Sequence, residues 1–78
     1  MKTIADLLEF LDRLRRSHIH YSLAQFRDET IAIVITVPGQ RWEVEVAGDG
    51  SVKVEKFTSG GQISDASVLE ELFREFSD

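Results

Sequence analysis

The chain has 78 residues, a net charge of −5 and no cysteine. That length allows a single domain spanning residues 1–78, and the absence of cysteine excludes a disulfide or a thiolate metal site as a staple, so the apolar core or a partner must supply the stability. The charge is uneven. Residues 1–40 hold five basic and five acidic side chains, and residues 41–78 hold four basic and nine acidic. An acidic half repels phosphate backbones and attracts cationic surfaces, which favours a basic protein partner over nucleic acid. No apolar run approaches the roughly 18 residues of a membrane span. Asp6 and Glu9 interrupt what would have to be the uncharged stretch of a secretory signal. A cytoplasmic protein with no membrane partner is expected.

Thr3 can cap a helix, with Asp6 three positions later in an approximate capping box. Ile4, Leu7, Leu8, Leu11 and Leu14 recur at helical spacing behind it, and the arginines cluster late, as a helix dipole prefers. The spacing predicts a first helix from about Thr3 to Ser17. His18 and His20 follow as a polar link. If both sat on a strand they would share a face, but two histidines without a third ligand at diagnostic spacing do not make a metal site.

Strand signals come next. Tyr21 to Arg27 is the weakest of them. Thr30 to Val37 is rich in β-branched residues and ends at Pro38-Gly39. Arg41 to Ala47 alternates, with Trp42, Val44 and Val46 on one face and Arg41, Glu43 and Glu45 on the other. Ser51 to Phe57 alternates again after Gly48-Asp49-Gly50. Facing residues of an antiparallel pair share a side of the sheet. Val46 must therefore face Val52 and Val44 face Val54, across a three-residue turn with Gly50 in the left-handed position. Ile35, Ile33 and Ile31 then face Trp42, Val44 and Val46. On the other side Glu45 faces Lys53, Glu43 faces Glu55, and Val34 and Ala32 lie beside Glu43 and Glu45. The first strand stays open. A two-residue loop after it turns Phe26 and Ala24 inward, and a three-residue loop turns Tyr21 and Leu23 inward.

Thr58 to Gln62 has the composition of a connection. Ser64 can cap a second helix, with Ile63 and Val68 as its hydrophobic staple and Val68, Leu69, Leu72, Phe73 and Phe76 as its apolar stripe. The expected architecture is α+β in the order α-β-β-β-β-α, an antiparallel meander with both helices packed on one face.

No serine sits in a glycine-flanked elbow, and Gly60-Gly61 lacks the lysine of a phosphate loop. The carboxylates Glu43, Glu45 and Glu55 could share a proton, but on an open sheet face nothing would exclude water from them. Arg13, Arg15, Arg16, His18 and His20 form a basic cluster that complements a helix C-terminus. No catalytic residue, metal or cofactor is expected, and the reading is a non-enzymatic binding module. The feature that folding explains least is the outer sheet face. Glu43, Glu45 and Glu55, with Arg41 and Lys53, surround the apolar Val34, which is how a surface meets a basic partner. An ordinary wet sheet face is the other reading of the same residues.

The hairpin carries a resemblance. Trp42, Val44, Val46, Asp49, Gly50, Ser51, Val52, Val54, Glu55, Phe57, Ser59, Gly61 and Ile63 follow the pattern W-x-V-x-V … D-G-S-V-x-V-E-x-F-x-S-x-G-x-I over roughly a third of the chain. This is similar to small bacterial immunity proteins of polymorphic-toxin and contact-dependent inhibition systems. The resemblance implies a stoichiometric inhibitor that covers a basic toxin, such as a nuclease, with acidic side chains and has no catalytic residues. The site would comprise Val34, Arg41, Glu43, Glu45, Lys53 and Glu55. Two alternatives stay open: a homodimeric structural or adaptor domain that uses the open face or an edge strand, and a phage or mobile-element inhibitor that mimics nucleic acid.

Overall fold

Thr3 opens the first regular element of the computed structural model, which describes residues 1–57, 62–64 and 68–76. Helix α1 spans Ile4–Arg16. The Thr3 hydroxyl accepts the Asp6 N–H at 3.1 Å, and the Asp6 carboxylate accepts the N–H groups of Lys2 and Thr3 at 3.0 and 3.2 Å. This reciprocal box satisfies donors that a helix start leaves open. The same two N–H groups hold the Asp6 carboxyl below its usual range. At the other end Ser17 caps the helix and His18 takes a left-handed φ of 59°. The His18 N–H donates to the Arg15 carbonyl and the Ile19 N–H to the Leu14 carbonyl, at 3.1 and 2.9 Å. Those are the two bonds of a Schellman stop, here with histidine where glycine is usual, and Leu14 and Ile19 bury together behind it. His18 is thus part of a helix stop, and the shared strand face with His20 does not form.

Strands β1 (His20–Ala24), β2 (Thr30–Val37), β3 (Gln40–Ala47), β4 (Val52–Phe57) and β5 (Gln62–Ser64) follow, and then helix α2 (Leu69–Phe76). Every neighbouring pair is antiparallel, in the spatial order β1-β2-β3-β4-β5. The expected α+β meander with two flanking helices is present, and it extends by one short strand. Gln62–Ser64 pairs with β4, setting Ile63 opposite Glu55 and Ser64 opposite Val54. Ser64 therefore ends β5, and residues 65–67, on which the expected cap at Ser64 and its staple of Ile63 and Val68 depend, lie outside the described residues. The rest of the expected connection, 58–61, lies outside the described residues.

The central registers are those that alternation demands: Val46 opposite Val52, Val44 opposite Val54, Ile35 opposite Trp42 and Ile33 opposite Val44. Gly50 takes the left-handed φ of 89° that its turn requires, and a Cβ there would come within 3.1 Å of the Lys2 backbone. The open question at β1 resolves to the three-residue phase. Tyr21 pairs with Ile35 and Leu23 with Ile33, and Glu29 takes the left-handed conformation, φ 63°, that closes such a loop.

Leu14, Ile33, Ile35, Trp42, Val44, Val54 and Leu72 are the largest fully buried side chains, and both helices contribute to the same core on the same sheet face. The expected α1 stripe is only partly used. Leu7, Leu11 and Leu14 bury, while Ile4 and Leu8 stay exposed. The helix is rolled toward α2, where Phe10 meets Phe73 edge-on at 5.8 Å between ring centres. Arg13 reinforces that contact. Its guanidinium lies 3.8 Å from the Phe73 ring centre and donates to both Glu70 oxygens, at 2.8 and 2.9 Å. Lys56 reaches Glu71 at 2.9 Å while lying over the Trp42 ring. Two of the acids on the wet side of α2 thus fasten the helix down.

Candidate protein-binding face

Among the described residues no helix lies on the second face of the sheet. Alternation assigns to it Ser22 and Ala24 of β1, Ala32 and Val34 of β2, Arg41, Glu43 and Glu45 of β3, and Lys53, Glu55 and Phe57 of β4. The six residues singled out from the sequence, Val34, Arg41, Glu43, Glu45, Lys53 and Glu55, all come together here. Glu45 lies between β2 and β4, with Ala32 on one side and Lys53 on the other. Glu43 lies between Val34 and Glu55.

Two residues that sequence reasoning did not assign to the face complete it. The three-residue phase that turns Tyr21 inward leaves Phe26 on the outer side, and Arg27 follows it in the loop. Arg27 reaches across from the β1–β2 loop and donates to both oxygens of Glu45. That contact, with a smaller attraction from Lys53 at 4.0 Å, holds the Glu45 carboxyl below the usual carboxylate range. Phe26 is 54% exposed, whereas Ala32 beneath this corner is only 1% exposed. Phe26, Arg27, Ala32, Glu43, Glu45, Lys53 and Glu55 line a shallow cleft of about 220 Å³. The signal for Phe26 was the loop length: had the left-handed conformation been assigned to Glu29, its side would have followed, whereas the reach of Arg27 left no local signal.

The charges of the face are more balanced than expected. Glu45 pairs with Arg27 and Lys53, and Glu43 pairs with Arg41, whose guanidinium also lies 5.5 Å from the Phe57 ring centre. Glu55, opposite Glu43, makes no ion pair among the described residues. The cations of these pairs are open to water while Glu43 and Glu45 are half-buried, so water and salt screen the pairs from one side and their contribution to stability is modest. They can be exchanged for pairs with a partner at small cost.

No family model, curated protein or solved structure matches the chain. The hairpin pattern can be weighed on its own geometry instead. Trp42, Val44 and Val54 are fully buried. Asp49 accepts the Ser51 N–H at 2.8 Å, and Gly50 supplies the left-handed turn. Each of these has a folding reason. Within the hairpin, Glu55 and Phe57 are the two members of the pattern that neither the turn nor the core requires. Among the described residues no three histidine or acidic side chains converge as metal ligands, and no helix is long and apolar enough to cross a membrane.

Proposed function

We propose that this chain is a protein-binding module, an immunity-like inhibitor that neutralises a basic bacterial toxin, such as a nuclease, by stoichiometric binding through the helix-free sheet face. The observation that carries the reading is the pairing of Glu43 with Glu55 across adjacent strands, next to half-buried Val34 and exposed Phe57 and Phe26. Like charges directly opposite one another cost stability. A partner that brings a cation to that position removes the cost and gains a charge-assisted bond. The net charge of −5 steers such a partner inward. On contact its basic side chains replace Arg27 and Arg41 at Glu45 and Glu43, and Phe26 and Phe57 supply the apolar area that slows release. The inhibitor would act in the cytoplasm of the producing bacterium, without a cofactor and without chemistry of its own.

The substitution Glu55→Lys tests the site. It places a lysine opposite Glu43, so folding stability rises by about 0.2–1 kcal/mol while binding weakens. The wild-type chain, immobilised and exposed to a bacterial lysate, should retain a cationic protein. Purified, that protein should bind at a one-to-one ratio, more weakly as salt rises, and at least roughly tenfold more weakly to Glu55→Lys, the loss expected for one buried charge pair. A captured protein that is acidic, or that binds Glu55→Lys as tightly as wild type, overturns the proposal.

A further inference from the structure

The two edges of the sheet differ. β5 is three residues long, and a short strand is one of the ways sheets blunt an edge. β1 has five residues, His20-Tyr21-Ser22-Leu23-Ala24, and among the described residues it pairs only with β2. It carries no lysine, acid or proline, the residues that normally guard an edge. In an antiparallel ladder, alternate residues of an edge strand point their N–H and C=O groups away from the sheet. On β1 those groups face a second strand's position. The apolar surface beside them is also uncovered. Leu23 is 52% exposed on the inner face, and on α1, which packs against β1, Ile4 and Leu8 are 69% and 57% exposed. Ile4 and Leu8 lie on the flank of α1 that is turned away from Phe10 and Arg13, and hence away from α2.

We propose that β1 is a dimerisation edge: two copies of the chain join through antiparallel β1–β1 pairing about a two-fold axis at Ser22, making one ten-stranded sheet. The strand is complementary to itself in this register. Tyr21 of each copy meets Leu23 of the second, on the inner face, and His20 meets Ala24 on the outer. The two Ser22 residues face each other on the axis. The same axis makes the two α1 helices antiparallel. The acidic start of each, with Asp6 and Glu9, then runs beside the basic end of the other, with Arg15 and Arg16. Helix dipoles and side-chain charges are complementary in that arrangement. Leu8 and Leu23 of both copies close over the seam. The interface is isologous, as two-fold dimers are. It is independent of the toxin-inhibitor reading. Edge pairing adds strands side by side and leaves the outer face open, so a dimer would present two such faces in one plane.

The chain has no cysteine, so a single introduced thiol reports one position. Ser22→Cys should form a covalent dimer under mild oxidation, because paired positions across an antiparallel seam lie about 4.5–5.5 Å apart at Cα. Lys53→Cys, on the outer face, should not. Sedimentation equilibrium of the wild-type chain between about 10 μM and about 1 mM should show a doubled mass, the range over which a modest interface associates. Leu8→Lys and Leu23→Lys alter side chains already exposed in the single chain. They should raise the dissociation constant at least roughly tenfold while leaving the circular dichroism spectrum and the unfolding curve of the dilute monomer unchanged. A wild type that stays monomeric throughout, a dimer indifferent to both lysines, or a cross-link at Lys53→Cys in place of Ser22→Cys overturns the proposal. Loss of toxin binding in Glu55→Lys has no bearing on it.

Discussion

The two faces of the sheet are made by the same strands and the same alternation, yet they are held by different physics. On the inner face Ile33, Ile35, Trp42, Val44 and Val54 are sealed from water by two helices. Each position there has one acceptable kind of side chain, because packing is dense and every missing methylene is felt. On the outer face Glu43, Glu45, Arg41, Lys53 and Arg27 hold one another through ion pairs whose cations are open to water, and many exchanges there would leave the fold standing. A surface relieved of structural duty is free to carry a binding function. Glu55 opposite Glu43 and exposed Phe26 and Phe57 are choices that the fold does not ask for.

The comparison is broken most forcefully from the inside. Trp42→Ala should cost about 3–5 kcal/mol, enough to unfold most of a domain this small, and urea unfolding followed by circular dichroism reads it. A matched pair of valines sharpens the contrast. Val44→Ala, fully buried on the inner face, should cost about 2–3 kcal/mol, whereas Val34→Ala, half-buried on the outer face, should cost about 1 kcal/mol or less. Equal costs for the two would mean that the outer face is packed as part of the core. The gain from Glu55→Lys is smaller and of opposite sign.

The smallest effect is electrostatic, and its sign follows from Arg27. The folded state holds the Glu45 carboxyl below its usual range, so it binds that proton less readily than the unfolded chain does. The pairing therefore stabilises the fold at pH values above the ordinary glutamate range and is lost as pH falls through the lowered folded value. Glu45→Gln should melt slightly lower than wild type at pH 7. The two curves should converge as pH drops below about 4, read by thermal melts across that range. Glu70 beside Arg13, and Asp6 in its capping box, follow the same direction.

Much of this was legible beforehand, and the reason is local. A turn with Gly50 in the left-handed position and a strict two-residue period leave only one register that buries Val44, Val46, Val52 and Val54 together. The grouping of Val34, Arg41, Glu43, Glu45, Lys53 and Glu55 on one surface followed from that register alone. The cap at Thr3 was equally plain, since its partners are within three residues. Phe26 was not assigned, because either loop phase satisfied the pattern of the first strand, and Arg27 was not, because its partner Glu45 lies on another strand.

By itself, then, the sequence determined the α+β class, the three central strands and the side of the sheet on which the acids lie, because each depends on residues close together in the chain. Only the tertiary structure decided the inward turn of Tyr21, the strand at Gln62–Ser64, the roll of α1 that buries Phe10 against Phe73 and exposes Ile4 and Leu8, and the reach of Arg27 to Glu45. Each of these is a choice between local options of similar energy. It is settled by a partner far away in the sequence, which no local periodicity records.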